Sequence, residues 1–272
     1  MNLLALNYRG LGLDAAVGEL RDLIRSYNPV VVFLSETKKK SRAMNKLKWS
    51  LGFRNGVAVD CSGRSGGLAL WWREGVDVSV RLWCQYYIDA KIVFEGRTWR
   101  FSGIYGEPRT EQRRKTWEIL RYLKNQDNLP WLCAGDVNEI ITQDDQLGGN
   151  RMSEVNMLAF RECLGDCGLS NLGYKGYTFT WDNHREGEDN IQVRLDRGGA
   201  TTPFLSLFPL TYVEHIPIEE SDHMALLVRI SAENRETLRS GPRGFTFEEM
   251  WTKHDGYEEM IKAAWEKGSV SA

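Results

Sequence analysis

Apolar residues in the first part of the chain come in short runs that stop at polar side chains. Residues 3–6 (LLAL) run into Asn7, and residues 30–34 (VVVFL) stop just before Glu36. Between them Val17, Leu20, Leu23 and Ile24 recur at helical spacing, with Asp14 placed as an N-cap and Pro29 after the end, so a β-α-β unit is predicted. Strand-like runs follow at 53–59, 67–72, 76–83, 87–94 and 99–105. They are rich in Val, Ile, Trp and Tyr and broken by Gly-containing turns, the pattern of an antiparallel meander. A helix is predicted over 110–125, with Thr110 as its cap and Trp117, Leu120 and Leu123 on one side. A strand at 131–134, a helix near 153–164, and strands near 179–181, 192–195, 212–215 and 223–230 complete the pattern. Paired strands with a few helices outside them predict an α/β (α+β) fold, two mainly antiparallel or mixed sheets packed together and flanked by helices as a four-layer sandwich.

After Ile230 the pattern changes. SAENRETLRSGPRG is polar and breaks structure like a linker. Helical spacing then resumes, with Met250, Trp251, Tyr257, Ile261 and Trp265 available as an apolar face. The expectation is one domain over 1–230, with 231–272 a linker and helical extension leading toward a further region.

Composition narrows the class. The 272 residues are 42% hydrophobic and 26% charged, the balance of a soluble globular protein, and ten each of Trp, Tyr and Phe provide bulk for a sizeable core. No run of 18 apolar residues appears, so no membrane span is expected. The N-terminus has no positive n-region and reads as a first strand, not a signal peptide. Five cysteines at scattered spacings, without a CxxC pair and apart from the four histidines, argue against structural zinc and suit reduced thiols in an intracellular protein. The net charge of −2 excludes bulk coating of nucleic acid but leaves two local basic segments, KKKSRAMNKLK (38–48) and RTEQRRK (109–115).

The candidate chemistry gathers at strand ends. PWLCAGDVNEII (130–141) closes an apolar run with Asp136, Asn138 and Glu139. Turn chemistry accounts for Gly, Asp and Asn there, yet Asn7, Glu36, Tyr105, Asp196 and the trio Ser221, Asp222 and His223 occupy comparable places. Together they make a complete set for phosphodiester hydrolysis. Glu36 and Asp222 are hard oxygen ligands suited to Mg²⁺. Asp136 is placed to orient or deprotonate water, His223 to stabilise phosphoryl charge, and Asp196 to fix the histidine's tautomer. Asp136 and Asn138, two apart on an extended strand end, are expected to project to one side and Glu139 to the other, as a structural group.

Seven short motifs in order carry a resemblance: LALNYRG, FLSETK, SGIYGEP, CAGDVNEI, YTFTW, VRLDR and SDHMALL. Together they resemble the endonuclease/exonuclease/phosphatase superfamily, with its DNase I-like and apurinic/apyrimidinic endonucleases. Within it, GRSGGLALWW, GYKGYTFTWDN, VRLDRG and the FTFEEMW segment look most like the endonuclease of plant LINE-type non-LTR retrotransposons, which precedes a reverse transcriptase. Leu6 departs from a frequent Trp, and Tyr8 from a Cys common in the plant elements.

The resemblance implies a DNase I-like fold and a Mg²⁺-dependent DNA endonuclease, with Mn²⁺ as a substitute, leaving 3′-hydroxyl and 5′-phosphate ends. It implies a metal site at Asn7, Glu36 and Asp222, a phosphate-contacting Tyr105, a water-activating Asp136 and an amide at Asn138 for phosphate and base. It also implies an Asp196-oriented His223, and Thr180 and Trp181 near the phosphate. Lys38, Lys39, Lys40, Arg109 and Arg113 fall where a DNA backbone would run. The expected partners are DNA and the reverse-transcriptase region of the same polyprotein. Access to the nucleus is expected, with the cytoplasm also open. Two other readings stay open: an apurinic-site endonuclease or 3′-exonuclease of the same fold, and a nucleic-acid or protein binding module without turnover.

Overall fold

The structure is a computed structural model and describes residues 1–63 and 65–232. The expected helical extension lies outside the described residues. Strand β1 (Asn2–Asn7), helix α1 (Asp14–Tyr27) and strand β2 (Val31–Ser35) form the expected β-α-β unit, with the two strands parallel and Asn7 opposite Ser35. Helix α2 (Ser41–Ser50) leads to the antiparallel pair β3 (Asn55–Val59) and β4 (Leu68–Trp72). Strands β5 (Asp77–Trp83), β6 (Tyr87–Phe94) and β7 (Arg97–Tyr105) form an antiparallel meander. Helix α3 (Arg114–Lys124) crosses over, and β8 (Trp131–Asp136) returns parallel to β7.

Short elements follow: β9 (Gln146–Leu147), α4 (Glu154–Cys167), β10 (Leu169–Asn171), β11 (Tyr174–Lys175), β12 (Trp181–Asp182) and β13 (Gln192–Val193). The last are β14 (Asp196–Thr201), α5 (Thr202–Leu207), β15 (Tyr212–Ile216) and β16 (Ala225–Arg229). They assemble as a seven-stranded sheet, β11-β15-β16-β1-β2-β4-β3, and a six-stranded sheet, β10-β14-β8-β7-β6-β5, with a small β12-β13-β9 ribbon.

Alternation along the strands explains the layering. Leu3 and Ala5 of β1, with Val31 and Phe33 of β2, face Ile88, Ala90, Trp99, Phe101, Leu132 and Ala134 of the other sheet. The intervening Leu4, Leu6, Val32 and Leu34 face outward and are covered by Ala16, Leu20 and Leu23 of α1 and Met44 of α2. On the far side Ile104, Trp131 and Cys133 lie under Trp117 and Leu120 of α3 and Phe160 and Cys163 of α4. Period-two burial on both faces is what a doubly covered sheet requires, and it yields the expected four layers.

The structure moves several expected features. Asp14 is the first helical residue; Leu13 is the N-cap and no side chain caps it. Thr110 opens a 3₁₀ turn behind Arg109, and the α-helix starts only at Arg114. The expected single meander over 53–105 divides between the sheets. Its β4 is almost wholly buried and needs cover on both faces, whereas β5 is a half-exposed edge strand. Strand β14 was not anticipated, since DRGGAT has little β propensity. Packing places it: a Cβ at Gly198 would lie 2.9 Å from the Val213 side chain.

Candidate active site

Strand β8 stops at Asp136 through local chemistry. The Asp136 Oδ1 accepts the Asn138 backbone N–H at 2.9 Å, closing an Asx turn with Asn138 at φ 55°. The turn and the site are therefore one feature. Asn138 reaches Asp136 through a left-handed kink, not along an extended strand as expected. Its Nδ2 donates to Asp136 Oδ2 at 3.1 Å and to the Gly106 carbonyl at 3.0 Å, so the amide is spent on holding the aspartate. Asn7, at the end of β1, donates to the same Oδ2 at 2.8 Å. Glu139 turns inward, as expected of a structural group, and pairs with Arg113 at 3.1 Å.

The second half of the site comes from β14 and the β15–β16 loop. Asp196, at the start of β14, lies opposite Asp136 in register. Its Oδ2 takes the His223 Nδ1–H at 2.8 Å, because a carboxylate can only accept. That fixes the tautomer and leaves Nε2 facing Asn7 Nδ2 at 3.5 Å and Asp136 Oδ2 at 3.9 Å. Thr180 locks Asp196: its Oγ1 donates to Oδ2 at 2.8 Å and accepts the backbone N–H of Leu195 and Asp196 at 3.0 and 2.9 Å.

Electrostatics follow from burial, with Asp136 and Asp196 each 1% exposed and His223 7%. Burial raises the Asp136 carboxyl well above the carboxylate range, against the pull of His223. Burial alone would push the imidazole down. The Asp196 and Asp136 carboxylates outweigh it and hold His223 up to about 9.

Two further clusters carry the candidate metal ligands. The Tyr105 hydroxyl, at the end of β7 and in register with Asp136, donates to Glu36 Oε1. Burial and the Glu36 charge raise that phenol, which keeps it a donor. Glu36 sits at φ 49°, its Oε2 4.0 Å from Lys38 Nζ. Asp222 Oδ2 accepts from Trp181 Nε1 at 2.8 Å and from Arg9, while its Oδ1 is buried without a hydrogen-bond partner. The donors are all oxygens, and one is orphaned, so Glu36, Asp222 and Asn7 fit a hard divalent cation. Asp136, Asp196 and His223 also lie close enough to share an ion, but their atoms are largely engaged with one another.

Expected DNA-facing residues divide. Arg113 is 7% exposed and Thr180 1%; both point inward because each satisfies a buried carboxylate. Trp181 borders the site through Asp222. Arg109 is 59% exposed but forked onto Glu107 Oε1 and Oε2 at 2.8 and 3.2 Å. Lys40 donates to the Cys61 carbonyl at 2.8 Å, and Lys38 and Lys39 remain partly exposed, Lys38 beside Glu36. The sequence pattern missed Arg9 and Glu107, which follow strand ends just as the expected residues do.

The sequence matches the Endonuclease/Exonuclease/phosphatase family over residues 1–223. No curated protein matches it. Among solved structures, the endonuclease domain of TRAS1, a telomere-specific non-LTR retrotransposon, superposes with a TM-score of 0.64 at 19% identity, covering 84% of this chain and 97% of that one. An AP endonuclease from Archaeoglobus fulgidus gives 0.66 at 18% identity, covering 85% and 99%. The 3′-5′ exonuclease NExo from Neisseria meningitidis gives 0.63 at 16% identity, covering 85% and 100%. At these identities the likeness concerns the fold, which is DNase I-like. With the family match spanning nearly all of the described residues, the chain belongs to the Endonuclease/Exonuclease/phosphatase family and is a metal-dependent phosphodiesterase.

Proposed function

We propose that the chain is a Mg²⁺-dependent DNA endonuclease that nicks a strand to leave 3′-hydroxyl and 5′-phosphate ends, as in LINE target-site cleavage. The observation that carries the reading is His223 lodged between Asp196 and Asp136, with Asn7 and Asn138 clamping Asp136. Mg²⁺, or Mn²⁺ in its place, would be held by Glu36, Asp222 and Asn7 and would supply positive charge against the phosphate oxygens. Asp136 orients the attacking water and takes its proton. Charged His223 offers its Nε2–H to a phosphoryl oxygen, and Asp196 keeps the ring aligned. Asn138 serves by holding Asp136, and Tyr105 by fixing Glu36.

In a LINE setting the new 3′-hydroxyl would prime a reverse-transcriptase region of the same polyprotein, and a chromosomal target requires access to the nucleus. Supercoiled plasmid incubated with Mg²⁺ should convert to open circles, with no conversion in EDTA and only a slow residual rate with Asp136→Ala or His223→Ala. Cutting of a duplex containing one abasic site, with the plasmid intact, would replace this reading by a repair-type one. Inertness on both substrates would overturn it.

A further inference from the structure

Glu19 is the sixth residue of α1 and half-buried. A mid-helix glutamate ordinarily faces water or pairs with a cation one turn away. Its neighbours at that spacing are Ala15, Ala16, Asp22 and Leu23, and no cation pairs with it among the described residues. Its carboxylate instead accepts two consecutive backbone N–H groups from the β15–β16 loop, Glu219 on Oε1 at 2.5 Å and Glu220 on Oε2 at 3.1 Å. Consecutive N–H groups converging on one anion make a small concave anion site, and charge strengthens both bonds. Oε2 also takes the Tyr8 hydroxyl at 3.4 Å. Tyr8 is 1% exposed and follows Asn7 directly.

The two tied segments are the two that carry the site. Residues 7–9 bring Asn7 to Asp136 and Arg9 to Asp222. The loop brings His223, three residues after Glu220. Ser221 Oγ donates to the Asn7 carbonyl at 2.8 Å and accepts the His223 N–H at 3.1 Å. Beyond His223, the Met224 N–H bonds to the Thr180 carbonyl at 2.7 Å. The far side of the loop is thus tied to Thr180, while its near side is tied to α1 through Glu19.

We propose that Glu19, assisted by Tyr8, is a positioning residue: a carboxylate latch that fixes the loop bearing Asp222 and His223 against the β1 end bearing Asn7. The catalytic part rests on the nuclease reading above; the latch itself does not. Glu19→Gln keeps the side chain's size but replaces one acceptor by a donor, so one of the two N–H groups loses its partner whichever way the amide turns.

Two measurements decide it. In the metal-free full chain, amide hydrogen exchange at Glu219 and Glu220 should accelerate in Glu19→Gln, with protection in β1 and β16 unchanged. In plasmid nicking, kcat should fall about 10- to 100-fold, the scale of a misplaced catalytic group, with KM nearly constant. In a His223→Ala background the same substitution should add almost nothing, because the two act as a unit. Tyr8→Phe, which leaves both N–H bonds in place, should give a smaller fall and guards against a folding failure of Glu19→Gln. Unchanged exchange at Glu219 and Glu220 would overturn the latch. Faster exchange with undiminished kcat, or an equal fall in the His223→Ala background, would overturn its positioning role. Failure of the wild type to nick would remove the nuclease reading and leave the exchange result standing.

Discussion

His223 is surrounded by groups that set its charge as well as its place. Its folded pKa lies near 9 against an ordinary 6.5, so its stabilising contribution is complete below 6.5 and lost as pH rises through 9. In EDTA the imidazole should titrate near 9 by NMR, and Asp196→Asn should move it down and cut the nicking rate by a factor on the order of 10² to 10⁴. A histidine titrating at the ordinary value would contradict the paired geometry. Arg113 belongs to the same scale in a different way. Removing it strands Glu139, which is 0% exposed, so Arg113→Ala should cost about 3–5 kcal/mol in urea unfolding while leaving the salt dependence of DNA binding unchanged. Asp136, Asp196 and His223 were legible in the sequence because each ends or opens an apolar run. Arg113 and Thr180 were not, since an inward turn depends on a carboxylate supplied by a distant segment.

At the scale of elements, the two sheets come close where β2 crosses β7. A Cβ at Gly103 would lie 2.2 Å from the Phe33 ring, with no slack in either strand. Gly103→Ala should therefore destabilise the chain by about 1–3 kcal/mol and lower its melting temperature. Gly135 has a local part: at φ 141°, and with a Cβ that would meet the Ile104 carbonyl at 2.1 Å, it lets β8 deliver Asp136 beside Tyr105. Most strands and the α1, α3 and α4 helices were readable from period and composition, because burial on one or both faces imposes both. The division of 53–105 between sheets was not, since local alternation carries no record of which partner a strand finds. Strand β14 was invisible for the related reason that its glycines fit a tertiary gap instead of expressing a preference.

For the whole molecule, a net charge of −2 means that the DNA affinity proposed above must come from a local surface. Lys38 lies 4.0 Å from Glu36 and Lys39 follows it, partly exposed, so replacing both with Ala should weaken binding across all sequences. It should also reduce the slope of log K against log salt by roughly one per lost phosphate contact. An unchanged slope would remove that segment from the interface. Closure of the fold has a wider consequence. Strand β1, which delivers Asn7, is paired by β16 on one side and β2 on the other, and the Met1 amine donates to the Ile230 carbonyl at 2.8 Å. Within the domain the first strand therefore waits for the last, and the cluster of Asn7, Asp136 and His223 cannot assemble before β16 is in place. A fragment ending at Ile216 should show neither cooperative unfolding nor nicking. The order of the strands along the chain would then act as a safety catch, holding the reactive groups apart until the domain is whole.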